Sequence, residues 1–257
     1  ATRRYLFRVP LAGGRAERVT PAGELGTHTY DLAPGAGFAL HTSSTIDRAP
    51  RVELVRMPDH AGVRVLEDNA AVNAKLAEFI PLPTEFFRLD IDADVELDGW
   101  LMRPRDFDPS RRYPLVTFVY NEPSNVQAND VWKGVRGGLF NHALAEAGYV
   151  VACVDTQGTP GPRGKAWRKS TYQRFGPVGS DQQAAAVRAL CKERSYLDPE
   201  RVAVWGWSGG GTMTLNQMFR HADVYQVGMA VAPVPDVSLY DSIYQERYTG
   251  LPTTDAE

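Results

Sequence analysis

A serine set among glycines is the first feature of the chain with chemistry in it. Val202–Thr212 reads VAVWGWSGGGT: an apolar run, Val202-Ala203-Val204-Trp205, meets Gly206-Trp207-Ser208-Gly209-Gly210, and a helix-compatible stretch follows. This is the G-x-S-x-G pattern of a nucleophile elbow in the setting it requires, strand, then tight turn, then helix. The glycines have a steric role, because a β-carbon at Gly206 or Gly210 would block close packing of strand on helix. The turn lifts the Ser208 hydroxyl clear of the sheet, and the N-terminus of the next helix favours negative charge developing beside it. Ser208 is the expected nucleophile.

Such a serine needs a general base, ordinarily a histidine oriented by a carboxylate. On an α/β-hydrolase sheet the chain order is Ser, then Asp or Glu, then His. His221 is the one histidine after Ser208. It falls at the far end of the helix that Ser208 opens, roughly 20 Å away, where the helix dipole favours it. His28, His41, His60 and His142 precede Ser208, the wrong order for the fold. The triad is expected to be incomplete here, with its Asp and His beyond Glu257.

An oxyanion needs donors. One expected donor is the Gly209 N–H, directly after the nucleophile. A second should come from the end of the run Tyr113–Tyr120, where the Tyr120 hydroxyl could point at an acyl oxygen. A strand-end aromatic packed on the core has the same composition, and the two readings stay open. Tyr240 and Tyr244 stand at i and i+4, on one face if the segment is helical; they read as a core stripe or as pocket walls. Val231–Val237 (VAPVPDV) could line a small apolar pocket. Glu246-Arg247 reads as a local ion pair and Arg103–Arg112 as a solvated loop. Neither implies a metal or phosphate site, and no cofactor is expected.

The elements that must position these groups follow from the pattern along the chain. With 257 residues, 43% hydrophobic and 23% charged, the composition is that of an ordinary globular protein. A net charge of −3 with scattered Lys and Arg excludes a nucleic-acid footprint. No apolar stretch reaches the ~18 residues of a membrane span. No signal peptide precedes Arg3-Arg4-Tyr5, and the chain reads as starting inside a larger protein. Cys153 and Cys191 are expected to be free thiols.

Short strands at Tyr5–Val9, Ala16–Thr20, Thr29–Leu32, Phe38–Thr42, Arg51–Met57 and Val63–Leu66, separated by turn compositions, suggest sandwich strands or propeller blades. Asn69–Phe79 has helical spacing, with Val72, Leu76 and Phe79 on one face, and Pro81 and Pro83 end it. Glu85–Ile91 and Val95–Met102 then form a strand pair. Strands at Tyr113–Tyr120, Tyr149–Val154, Val202–Trp205 and Val227–Val231 follow, interleaved with helices at Leu139–Ala147, Gln182–Lys192 and Gly211–Arg220. This alternation predicts an α/β domain with a mostly parallel sheet covered by helices on both faces. Ser208 falls at a strand's carboxyl end, where such sheets carry their sites.

The residues now quoted resemble the prolyl oligopeptidase family of serine peptidases, in its bacterial dipeptidyl peptidase IV-like branch. The likeness lies in GWSGGG, AVAPV (Ala230–Val234), YDSIYQERYTGLP (Tyr240–Pro252), FVYNEP (Phe118–Pro123), GTPGPRGKAW (Gly158–Trp167) and Asp181-Gln182. Upstream it continues through GTHTYDLAP (Gly26–Pro34) and LEDNAA (Leu66–Ala71). The resemblance implies residues 1–80 as the end of a β-propeller plus linker, and residues 81–257 as the N-terminal part of an α/β-hydrolase peptidase domain.

It also implies that dipeptides are released from peptide N-termini after proline or a small residue, with Ser208 as nucleophile. Tyr120 would be the side-chain oxyanion donor beside the Gly209 N–H. Tyr240, Tyr244, Val234, Val237 and Trp207 would contact substrate. The implied partner is a peptide; a homodimer of the full-length protein is compatible, and the compartment stays open between bacterial periplasm and cytoplasm.

Three departures stand out. Asn121 replaces a glycine after the oxyanion tyrosine, and Asp155-Thr156-Gln157-Gly158 lacks the usual arginine. Val237 replaces a larger aromatic. Amine-binding glutamates would lie upstream of residue 1. The rival readings are another serine hydrolase, whether acylaminoacyl peptidase, small-peptide endopeptidase or esterase, and a non-catalytic truncated fragment.

Overall fold

Along Phe38–Thr45, Ala39, His41 and Ser43 are buried while Phe38 and Leu40 are exposed. That period of two is what a strand with one covered face requires. The computed structural model describes residues 2–79, 82, 84–120, 123, 125–174 and 176–251. The chain divides into two compact units, Ala1–Pro81 with Asn129–His142, and Leu82–Ala128 with Ala143–Glu257.

In the first unit, β1 (Phe7–Arg8) and β2 (Glu17–Arg18) form a short hairpin. The strands β3 (Thr27–Leu32), β4 (Phe38–Thr45), β5 (Arg48–Arg56) and β6 (Ala61–Glu67) pair in sequence order as an antiparallel sheet. Four strands in a meander are the architecture of a propeller blade. Helix α1 (Ala70–Phe79) buries Leu76 with Ala49, whereas Val72 stays exposed, so the apolar face expected of this helix is only partly used. The Phe79 side chain lies outside the described residues.

The resemblance implies one domain over residues 81–257; within that span Asn129–His142 groups with the first unit. Asp130 supplies the reason. Its buried carboxylate accepts from Arg3 Nε at 3.0 Å and from the Ile46 N–H at 3.0 Å, and the Trp132 N–H donates to Ser44 Oγ at 3.3 Å. These are polar contacts at long sequence separation, with no signature in local pattern.

The second unit is built on β7 (Thr84–Asp92), β8 (Val95–Met102), β9 (Tyr113–Phe118), β10 (Val150–Asp155), β11 (Leu197–Trp207) and β12 (Val227–Val231). Their order is β12-β11-β9-β10-β8-β7. β12, β11, β9 and β10 run parallel, and β8 and β7 continue antiparallel. α2 (Gly134–Glu146) belongs to the first unit as far as His142, and the helices of the second unit are α3 (Gly164–Lys169), α4 (Pro177–Glu193), α5 (Gly209–Arg220) and α6 (Ser242–Thr249). Every residue of β10 is buried, as a strand covered on both faces must be. α4 opens five residues before its apolar periodicity because Pro177 sits in its first turn, where a missing N–H costs nothing.

β9 lies between β10, the next strand in sequence, and β11. The chain therefore steps one way from β9 and then returns past it. Right-handed crossovers place the connections leaving β9 and β11 on opposite faces. The crevice beyond their carboxyl ends is the sheet's switch point, where ligands bind in open α/β sheets. β9 runs out toward Tyr120 and β11 toward Ser208.

Candidate active site

The turn between β11 and α5 is held by contacts that only glycine permits. Ser208 precedes α5 with φ 55° and ψ −118°, a conformation that costs of the order of 1–3 kcal/mol for a residue with a side chain. A β-carbon on Gly206 would come 2.4 Å from the Gly210 carbonyl oxygen and 2.5 Å from that of Val119. One on Gly210 would come 2.0 Å from the Val119 oxygen, and one on Gly211 would come 2.8 Å from the Val231 oxygen. Gly209 has open space around it instead. As the first residue of α5 it carries an N–H with no intrahelical partner.

Three hydrogen bonds fasten this turn to its surroundings. The Ser208 N–H donates to the Val231 carbonyl at 2.9 Å, joining the turn to the end of β12, and the Thr212 N–H donates to the Ser208 carbonyl at 3.0 Å. On the other side, the Val119 N–H donates to the Trp205 carbonyl at 3.0 Å, extending the parallel pairing of β9 and β11. Tyr120 is the next residue, half-buried. Its ring lies over the first turn of α5, with Cδ2 3.2 Å from where a Gly210 β-carbon would be. Ser208, Gly209 and Tyr120 are thus brought together at the switch point. Asn121 and Glu122 lie outside the described residues.

The segment after β12 is clamped to the elbow helix by Thr212, a residue that sequence reading passed over. Thr212 Oγ1 accepts from the Val234 N–H at 2.9 Å and donates to the Val234 carbonyl at 3.0 Å. Val234 is therefore one helical turn from Ser208. Asp236 then accepts from the Ser238 N–H at 2.9 Å and starts the 3-10 turn Val237–Leu239.

Tyr240 and Tyr244 do not share a helix. Asp241 is the N-cap of α6, accepting from the Tyr244 N–H at 2.8 Å, so Tyr240 stands outside in extended backbone. An Asp at that position ends the helix in place of continuing it. The rings still meet edge to face, centroids 5.5 Å apart, and Tyr244 meets Tyr248 at 4.8 Å. Val237 and Tyr240 line one cleft of about 310 Å³ with Ser238, Ser242, Gln245 and Glu246. Ser208, Val234 and Tyr244 do not line that cleft. Trp207, 58% exposed, ends β11 beside Ser208. Glu246 and Arg247 do not pair; Arg247 lies over the Tyr248 ring.

Each of the five histidines has a hydrogen-bond partner other than Ser208. His28 and His41 bond each other, His60 bonds Tyr30, and His142 Nδ1 meets the Gly138 carbonyl. His221 ends α5, its Nε2 2.9 Å from Asp181 Oδ1. Asp181 also accepts from Arg220 at 3.0 Å. Burial alone would raise its pKa, but the bonds to Arg220 and His221 outweigh that and hold it below the usual carboxylate value.

Asp155, at the end of β10, accepts from the N–H groups of Gln127 and Ala128, each at 2.9 Å. Where the resemblance leads one to expect arginine, Gln157 Oε1 accepts from Gln182 Nε2 at 2.6 Å, and its N–H donates to Gln182 Oε1 at 2.9 Å. Neither Cys153 nor Cys191 is in a disulfide. Among the described residues no helix is long and apolar enough to cross a membrane.

Residues 140–257 match the sequence profile described as "Prolyl oligopeptidase family". A "Probable dipeptidyl-aminopeptidase B" of Emericella nidulans is 32% identical over 98% of this chain and 27% of its own length. That of Coccidioides posadasii is 32% identical over 100% of this chain and 28% of its own. Among solved structures, Porphyromonas gingivalis dipeptidyl peptidase 4 superposes with a TM-score of 0.88 at 36% identity, covering 100% of this chain and 35% of that one. The chain thus spans about a quarter to a third of the length of these relatives.

Proposed function

Because the chain belongs to the prolyl oligopeptidase family, we propose that it carries the nucleophile half of a serine dipeptidyl peptidase. In this reading Ser208 Oγ attacks the carbonyl carbon of a peptide bond while its proton passes to a histidine. The leaving amine departs with that proton, and water hydrolyses the acyl-serine. His221, the histidine of Ser208's own unit, is engaged by Asp181, and in this reading the base comes from outside these 257 residues. The Gly209 N–H and the Tyr120 hydroxyl hold the oxyanion, each donor worth about 3 kcal/mol of barrier. In this reading Tyr240, Tyr244 and Val234 meet the side chain of a proline or small residue, and Val237 and Trp207 also contact substrate, a flat ring being suited to aromatic walls.

The observation that carries this reading is the strained Ser208 backbone, φ 55° and ψ −118°, in a turn whose glycines are pressed against Val119 and Val231. A serine with only a structural role would have no use for such a turn. The names borne by the relatives favour dipeptide release over the other hydrolase readings.

The test is a substrate panel on the native protein: chromogenic dipeptidyl substrates ending in proline or alanine, their N-acetylated forms, and simple esters. Preference for free-amine prolyl substrates supports dipeptide release. Equal or better cleavage of the acetylated forms makes the protein an acylaminoacyl peptidase or endopeptidase, and activity on esters alone makes it an esterase.

A further inference from the structure

The first unit holds a pair of buried histidines whose hydrogen bonds do not add up without a cation. His28 Nε2 faces the Leu25 carbonyl at 3.1 Å, and His41 Nδ1 faces Glu53 Oε1 at 3.1 Å. Carbonyl and carboxylate oxygens only accept, so each ring donates its N–H outward. A neutral imidazole has one N–H. The two remaining nitrogens, His28 Nδ1 and His41 Nε2, are 2.8 Å apart and would face each other with lone pairs. With Glu53 ionised against Arg51, a proton or a metal ion must lie between them.

A shared proton is one candidate, but both side chains are fully buried. A third donor is already at hand. Glu24 Oε2 lies 3.8 Å from His28 Nδ1, and one donor atom from each of Glu24, His28 and His41 falls within 4.8 Å of the others.

We propose that Glu24, His28 and His41 form a binding site for one divalent metal ion of the zinc class. Two imidazoles and a carboxylate are a zinc-type donor set. The outward bonds to the Leu25 carbonyl and Glu53 are the supports that fix the tautomer and aim of a metal-bound histidine.

The sheet itself sets the geometry. β3 pairs with β4 so that His28 opposes Ser43 and Tyr30 opposes His41, making His28 and His41 diagonal neighbours on one face. β4 pairs with β5 so that His41 opposes Glu53. Metal–ligand bonds of about 2.0–2.1 Å need nitrogens about 3.3 Å apart, so the rings part by roughly 0.5 Å and the partly exposed Glu24 swings in. Glu24 also lines a cleft of about 490 Å³ together with Leu25, Ser43, Arg48, Arg51 and Glu53. Of the nearby guanidinium groups, that of Arg51 is engaged by Glu53, and that of Arg18 by the carbonyls of Thr20, Pro21 and Glu24.

The test uses the full 257-residue chain, stripped with a chelator and titrated at neutral pH with Zn²⁺ by calorimetry and with Co²⁺ by visible absorption. One ion per chain, ligand-field bands of a low-symmetry Co²⁺ centre, and a thermal midpoint raised by Zn²⁺ are expected. His41→Gln and Glu24→Gln should each weaken binding at least tenfold, and Glu53→Gln 10- to 100-fold. Absence of saturable binding, or affinity unchanged in both Glu24→Gln and His41→Gln, overturns the proposal. If His41→Gln does not fold by circular dichroism, Glu24→Gln decides alone, since its carboxylate is not part of the sheet.

Discussion

Gly210 lies so close to Val119 that a β-carbon on it would come within 2.0 Å of the Val119 carbonyl oxygen. The elbow helix and the segment that leaves β9 toward Tyr120 therefore touch backbone to backbone, and the turn carrying Ser208 is tightly packed. Substitution there should be costly. Gly210→Ala is expected to lose 3 kcal/mol or more, at the upper end of overpacking costs of about 1–3 kcal/mol, as a lower urea midpoint at unchanged m-value. Gly209→Ala, facing open space, should stay within about 0.5 kcal/mol of the parent. Equal losses in the two variants would show that the elbow is not packed as described.

The Ser208 backbone is itself a reservoir of strain. Relief of about 1–3 kcal/mol at positive φ, less the 0.5–1 kcal/mol entropy cost of glycine, makes Ser208→Gly about 1 kcal/mol more stable than the parent in denaturant melts. A loss of stability would mean that the serine side chain supports the turn more than its backbone strains it.

Thr212 is expected to act as a positioning residue. Thr212→Val keeps the shape and removes both hydrogen bonds to Val234, a loss of about 1–2 kcal/mol. In the native protein KM for prolyl substrates should rise while reaction of Ser208 with small acylating agents is retained. A fall in both together would assign Thr212 to the elbow alone.

Acid should loosen the join between α4 and α5. The Asp181 carboxylate lies below its ordinary pKa when folded, so its contribution is present above the unfolded value of about 3.9 and is lost as pH falls through the folded one. With the side chain 52% exposed, that contribution is below about 1 kcal/mol. The stability difference between the parent and Asp181→Asn should be constant near neutrality and vanish in strong acid; a gap that widens toward low pH contradicts this.

Much of the second unit is legible in the sequence because its strands are uninterrupted apolar runs between helices of clear period. Val150–Asp155, buried throughout, is such a run. The elbow is legible because its glycines do steric work that no other residue can do, and 2.0–2.8 Å approaches at Gly206, Gly210 and Gly211 are the reason. Contacts between distant segments leave no local pattern. Asp130 drawing residues 129–142 into the first unit and Thr212 holding Val234 are of this kind, as is the meeting of His28 and His41 across a hairpin. The Tyr240–Tyr244 spacing misleads because Asp241, between them, caps the helix that the spacing suggests.

The central claim is that Ser208 is a nucleophile, and the most direct measurement is intact-mass spectrometry of the native protein before and after a fluorophosphonate probe. One adduct, absent from Ser208→Ala, is the predicted result. No adduct, or one that persists in Ser208→Ala, would contradict it and leave the elbow a structural turn.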